Sequence, residues 1–556
     1  MLQARALPGV LVVSLLLINF LPTAAVSAPR SDQSFYVNVS SFTSNLPGQG
    51  DPLPTIINGA RAWSTYGGSS TNWIYSGNVT NMGCGSGSVL PHIWMSNTCP
   101  WFDPSCAGGV AWYQGCAVSG FTIYLLELAN PLNWRLTPTS TAHSDVQSTV
   151  THEIGHAMGL GHIDPADGTA CCMSSTNLSP NDAANRYFCR EELDLAQAGS
   201  GCYSTTPQIS TNTSFSQTTW TAGRSLSTEI GLGLGDLGRG IVAPSHVRDT
   251  YFRTQNTCGA YSVGTQALCD YRAGGIDNTC SGQFTSVTSQ TPRIKPTIVY
   301  DTNLQQWWRF TVGDSGTTRD RIEVWSSPDR ATWTSRGMLA ARTRVPVAAA
   351  FDSKNNIIVA VVNQYSRLSA EGFPSPSCPA GGCAEDLVLY KILPATGTFV
   401  APFRFAASSG VPAYAAFGGA AVACTDAAWT RNCVVMGTSK AAARNLFSFS
   451  FGVDGTTNHA ATTYSAVINT AGTTNAPPSL TQALPNPNLY NNHLVAVVVG
   501  SNGDRSIYSA SNDWWFGTWS SWLAVSSSGV PLQTTLAPVI RANFTSPANY
   551  DLLFAP

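Results

Sequence analysis

The sequence predicts an α+β domain over residues 29–205 followed by an all-β domain over residues 241–556. Three observations predict this. A helical stripe ends in a cluster of histidines between residues 144 and 162, eight of the 15 cysteines fall before residue 205, and beyond about residue 240 short β-prone runs alternate with Gly, Pro, Asn and Asp.

The chain begins with "MLQARALPGVLVVSLLLINFLPTAAVSA", residues 1–28. Arg5 near its start, an apolar run from Val10 to Leu21 and small residues before Ala28 are the pattern of a secretory signal peptide, so an extracellular protein is expected. The run is shorter than the roughly 20 residues needed to span a bilayer, and no later segment resembles a membrane helix. A net charge of −2 with no basic block excludes nucleic acid and acidic membranes as expected partners. At 556 residues the chain needs several domains, and a monomer is expected.

In an exported chain the cysteines read as disulfides. Cys84, Cys99, Cys106, Cys116, Cys171, Cys172, Cys189 and Cys202 form an even set in the first domain, with the adjacent Cys171 and Cys172 bonding to different partners. Cys378 with Cys383, and Cys424 with Cys433, can each close a short local loop, and Cys258, Cys269 and Cys280 leave one sulfur over. No tight CxxC pair supports a zinc-thiolate site.

"HSDVQSTVTHEIGHAMGLGH", residues 143–162, reads as one helix and its exit. Ser144 as N-cap with Gln147 forms a capping box, and Val146, Val150, Ile154 and Ala157 form a buried stripe. Gly159 and Gly161 end the helix. Four residues apart, His152 and His156 share one face and can reach a single ion. The turn at Gly159 lets His162 supply a third nitrogen and leaves a fourth position open to water, as one catalytic Zn2+ requires. Glu153, offset around the helix, is placed as general base and then acid toward that water.

H-E-x-x-H-x-x-G-x-x-H resembles the signature of the metzincin zinc endopeptidases. In "CCMSS", Met173 lies eleven residues after His162, where that family places its Met-turn beneath the zinc. The order of elements is also similar to the matrixins: a strand at 35–39, a helix at 54–67, strands near "NWIYSG", "PHIWMS" and "GFTIYLLEL", the histidine helix, Met173, and a last helix at 189–198. The resemblance implies a zincin fold and a zinc endopeptidase acting on a protein or peptide substrate, with His152, His156 and His162 as metal ligands, Glu153 catalytic and Met173 structural. Three features depart from the pattern. Ser175 stands where some members have a ligating Tyr, Ile163 and Asp164 match no subfamily, and no cysteine before Cys84 can provide a cysteine switch. No residue pattern supports an added Ca2+.

Residues 206–240 read as a Ser/Thr-rich linker. Beyond it, "KPTIVYD", "VPVAAAFDS", "VPAYAAFGG", "APPSLTQAL" and "LAPVIRANF" recur at steps of about 50 to 65 residues, mostly followed by a second apolar run. Such steps predict propeller blades in preference to β-sandwiches. "SSPDRATWT", residues 326–334, resembles an Asp-box turn one residue short. The β domain is expected to bind the substrate, a cell surface or a glycan, with Trp307, Trp308, Trp514, Trp515 and Trp519 either forming a recognition surface or anchoring blades. Two other functions are weighed: a non-catalytic adhesin or binding protein that keeps a metal site, and a sialidase-like glycoside hydrolase in the β domain.

Overall fold

The computed structural model describes residues 27–28, 31–65, 71–80, 91–95, 115–118, 122–125, 133–136, 143–163, 172–173, 202–203, 208–212, 220–222, 224–225, 249–255, 265–271, 280–283, 297–313, 320–328, 332–364, 386–405, 419–425, 431–438, 445–456, 463–464, 468–474, 476–482, 493–513, 518–534, 537–543 and 549–554.

The N-terminal part is built on five strands, β1 (Ser31–Val37), β2 (Thr71–Asn78), β3 (His92–Met95), β4 (Gly115–Val118) and β5 (Thr122–Leu125), in the order β2-β1-β3-β5-β4. All neighbours are parallel except the edge pair β4 and β5. Three helices accompany the sheet: α1 (Val39–Asn45), α2 (Leu53–Thr65) and α3 (Val146–Ala157). Phe35, Val37, Ile56, Trp63, Trp73, Ile93, Val146, Val150, Ile154 and Met173 share one buried core, so the expected stripe of α3 does face inward. Helix α2 lies against α3, where Gly59 lets the helices close on Gln147 and Val150.

The C-terminal part repeats a small antiparallel sheet. Four sheets begin with the strands Thr297–Asp301, Ala348–Asp352, Ala420–Cys424 and Ser479–Gln482, and each adds its next strands in sequence order, except that in the third sheet Ile468–Thr473 pairs back to Asn445–Gly452. A fifth begins with Val539–Asn543 and Asn549–Phe554 and is completed by β6 (Gln208–Asn212) and the short strand Arg224–Ser225. Successive first strands lie next to one another. Between the sheets sit separate apolar layers, such as Val299, Phe310, Ile322, Ile358 and Tyr390 between the first two. This is a propeller arrangement, and β6, which precedes the first of these sheets in the chain, pairs with the last strand. A further three-stranded sheet spans Asp249–Gln255, Thr265–Tyr271 and Cys280–Gln283.

The sequence repeat has a structural cause. Asp301 ends the first strand of its blade and its Oδ1 accepts the amides of Asn303 and Leu304, while Asp352 does the same for Lys354 and Asn355. In each case the fourth residue after the Asp, Gln305 or Asn356, takes a positive φ of 53° or 55° before the second strand starts. A carboxylate that caps two amides fixes a tight turn at the same point of successive blades.

Several expectations are corrected. The chain as a whole is not an α+β zincin followed by an appendage: among the described residues the helices are three, of 7, 13 and 12 residues, while strands run from one end of the chain to the other. The histidine motif determines one helix and its exit. It carries no information about the several hundred residues whose alternation and turn chemistry produce sheet. Helix α1 was not expected; Asn38 caps it by accepting the Ser41 amide. The N-cap of α3 is Asp145, not Ser144, with its carboxylate accepting the amides of Gln147 and Ser148. Strand β6 falls inside the range read as a linker. Trp307 and Trp308, 2% and 0% exposed, are core residues and not a recognition surface. The helix at 189–198, Ser175, Asp329 of the Asp-box-like turn, Trp514 and Trp515 lie outside the described residues, as does nearly all of the signal segment.

Candidate metal centre

Helix α3 ends at the Met158 C-cap, and Gly159 then takes φ +86°, the left-handed conformation that turns the chain back toward the helix. That reversal brings the three histidines together. Their candidate ligand nitrogens all lie within 4.8 Å of one another, and the ring centroids are 4.6 Å (His152 to His156), 4.8 Å (His156 to His162) and 5.4 Å (His152 to His162) apart. His152 is buried, His156 half-buried and His162 exposed, so the cluster opens to solvent on the side of His162.

Hydrogen bonding fixes the tautomers. His152 Nδ1 lies 2.6 Å from the Cys172 carbonyl oxygen and His156 Nδ1 lies 2.7 Å from that of Leu160. A carbonyl oxygen only accepts, so both Nδ1 atoms carry the proton and both Nε2 atoms present a lone pair. Those two Nε2 atoms are 3.0 Å apart. Burial, reinforced by the neighbouring His156, pushes the His152 imidazole down to about 3, and burial also lowers His156. Both rings are therefore neutral near pH 7, with no proton to place between two facing lone pairs. Such an arrangement calls for a cation.

The donor set fits zinc. Imidazole nitrogens about 2.0–2.1 Å from a tetrahedral ion stand roughly 3.3 Å from one another, close to the 3.0 Å between the Nε2 atoms of His152 and His156, and Nδ1–H bonds to backbone carbonyls are the usual support for ligating imidazoles. Glu153, the residue after His152 on α3, is 4% exposed and stands outside the ligand cluster. The 172–173 segment lies beneath. The Cys172 carbonyl holds His152, the Met173 carbonyl accepts the Ile163 amide at 2.8 Å, and the Met173 side chain is fully buried against Gly155. The pattern of histidines revealed the ligands, whereas Leu160 and Cys172 act through backbone carbonyls and leave no trace in residue type.

On the propeller, the indoles of Trp519 and Trp522 are half-buried and stacked, with centroids 6.5 Å apart and planes 8° from parallel. Their N–H groups are taken by Ser448 Oγ and the Thr470 carbonyl. Arg309 is buried against Trp325 and Trp333, whose rings lie 5.4 and 4.5 Å from its guanidinium carbon, and burial lowers it to about 9.

No family model matches the chain, and no curated protein matches it. Solved structures do. A Dyadobacter fermentans protein of unknown function aligns at 12% identity and a TM-score of 0.38 over 58% of this chain and 95% of its own. The sialidase Hz136, a Hadza microbial protein, aligns at 9% identity and 0.36 over 60% and 71%. The lectin SapL1, solved with α-methyl fucoside, aligns at 14% identity and 0.34 over 56% and 85%. The described residues are predominantly strand, and on that ground membership of the metzincin endopeptidases does not stand. The protease and matrixin-like designations go with it.

Proposed function

We propose that the chain is a binding protein that presents a glycan-recognition surface on its propeller and carries one zinc ion in the three-histidine site of its N-terminal part. It goes with the export expected from the N-terminal segment. The observation that carries the metal reading is the pair of neutral Nε2 atoms of His152 and His156 facing each other at 3.0 Å, with His162 beside them. A glycan ligand is supported by the parallel indoles of Trp519 and Trp522, which pack against the core on one side and keep part of their aromatic surface accessible with both N–H groups satisfied, the kind of surface on which sugar C–H groups stack.

His152, His156 and His162 would hold such an ion, which would supply acidification of water at the site. Glu153 is the carboxylate assigned to accept the resulting proton, because it is buried and adjacent to His152 on the same helix. His152 and His156, each tied by Nδ1 to a carbonyl, keep their Nε2 lone pairs directed at the ion.

Two assays on the purified chain test the proposal. Metal analysis is expected to return one zinc per chain, and a glycan array is expected to give hits that weaken at least tenfold when Trp519 and Trp522 are each replaced by Ala. Chelator-sensitive digestion of casein overturns the reading in favour of an endopeptidase.

A further inference from the structure

Gly155 directly precedes His156 in the last turn of α3, within a helix that glycine weakens by up to about 1 kcal/mol relative to alanine. Its φ is not positive, so backbone conformation does not require glycine there. Space does. A Cβ built on Gly155 collides with the Met173 sulfur and falls 2.9 Å from Trp63 Cζ2 and 3.0 Å from Met173 Cε. Trp63 is 0% exposed and its indole N–H donates to the Thr151 carbonyl at 2.8 Å, so it is anchored to α3 itself and is the less able of the two to yield.

Met173 is also the hinge between the two halves of the ligand set. Its carbonyl accepts the amide of Ile163, the residue after His162, and the carbonyl of the preceding Cys172 accepts the Nδ1–H of His152. Whatever fixes the 172–173 segment against α3 therefore fixes the helical ligands and His162 relative to one another. We propose that Gly155 is a positioning residue of the metal centre: its missing side chain forms the seat for Met173, and through Met173 and Cys172 it sets the distance from His152 and His156 to His162. The inference rests on the reading of the three histidines as a metal site.

A double-mutant cycle tests it. Zinc affinity, measured by competition with a chromogenic chelator, and the d–d spectrum of the cobalt-loaded full chain are recorded for wild type, Gly155→Ala, Met173→Ala and the double variant. Gly155→Ala is expected to weaken zinc at least tenfold and to change the cobalt spectrum, with circular dichroism unchanged. In the Met173→Ala background the same glycine change is expected to cost less than twofold, because the severest contact has been vacated and the remaining 2.9 Å contact with Trp63 Cζ2 needs a shift of only a few tenths of an ångström into the room left. Equal losses in the two backgrounds, or a Gly155→Ala protein with wild-type affinity and spectrum, overturn the proposal. If Gly155→Ala does not fold, the double variant compared with Met173→Ala decides: a cost under twofold supports the seat, and a cost of tenfold or more refutes it. A wild-type chain that binds neither zinc nor cobalt refutes the metal reading itself, a result distinct from these.

Discussion

His152 Nε2 and His156 Nε2 stand 3.0 Å apart with both Nδ1 protons committed to backbone carbonyls, of Cys172 and Leu160. Two neutral imidazoles so constrained repel unless a cation lies between them, and this relationship connects the sequence motif to the metal reading. Removing metal is therefore expected to lower the thermal midpoint of the N-terminal part, because a ligand bound only by the folded state stabilises it in proportion to ln(1 + [L]/Kd). Calorimetry with and without excess zinc after chelation measures the shift.

Asp145 caps α3 through two amides and also accepts the Ser148 hydroxyl at 2.6 Å, all within a buried environment. Asp145→Ala is expected to cost about 1–2 kcal/mol, the usual range for a lost cap. Denaturant unfolding of the variant checks this. Ser144→Ala, at the position the sequence pattern favoured, is expected to leave the cap intact.

Lys391 is 1% exposed on the second blade, with its ammonium held by Asp454 Oδ1 at 3.2 Å and by the carbonyls of Asp454 and Thr456. Truncating Asp454 leaves a buried cation with only carbonyls, whereas Lys391→Met removes the charge altogether. Asp454→Ala is expected to be the more destabilising of the two, as measured by urea midpoints. The hydrogen bond from Thr456, and then Lys391, holds the Asp454 carboxyl below its ordinary 3.8. A carboxyl with a lowered folded value binds fewer protons folded than unfolded, so its contribution is complete above about pH 4 and is lost as the pH falls through the folded value. The pH dependence of the urea midpoint below pH 4 is expected to flatten in Asp454→Ala.

The disulfide between Cys424 and Cys433 joins directly opposed residues of two adjacent strands in the third blade. Closing a loop of this length is worth about 2–3 kcal/mol in chain entropy. The Cys424→Ala/Cys433→Ala double variant is expected to lose that amount in a chemical denaturation series. By contrast, Arg505 and Asp32, which join the fourth blade to the start of β1, have side chains 31% and 49% exposed. Arg505→Ala is expected to change stability by less than about 1 kcal/mol.

What could be read from the sequence follows from how local each signal is. His152, His156 and His162 were legible because a helix period and one glycine break are enough to bring them together. The repeated "YD" and "FD" at Asp301 and Asp352 were legible as blade steps because each carboxylate caps its own turn. Other features depend on contacts between distant segments. The pairing of β6 with the last strand joins residues more than 300 positions apart, and a Ser/Thr-rich stretch reads equally well as linker or edge strand. The aromatic pair at Trp307 and Trp308 carries the same letters whether it faces solvent or core. The fold class was misjudged for a similar reason. A specific eleven-residue motif outweighed the strand-forming pattern of most of the chain, and a motif of this kind defines a ligand set and not an architecture.

Zinc stoichiometry and affinity of the purified chain test the account most directly, measured by metal analysis and equilibrium dialysis beside His152→Ala, His156→Ala and His162→Ala. The account predicts one zinc per wild-type chain and a loss of at least a hundredfold in affinity for each variant. A wild-type chain that retains no zinc after dialysis against micromolar metal, or three variants that bind as it does, would contradict it.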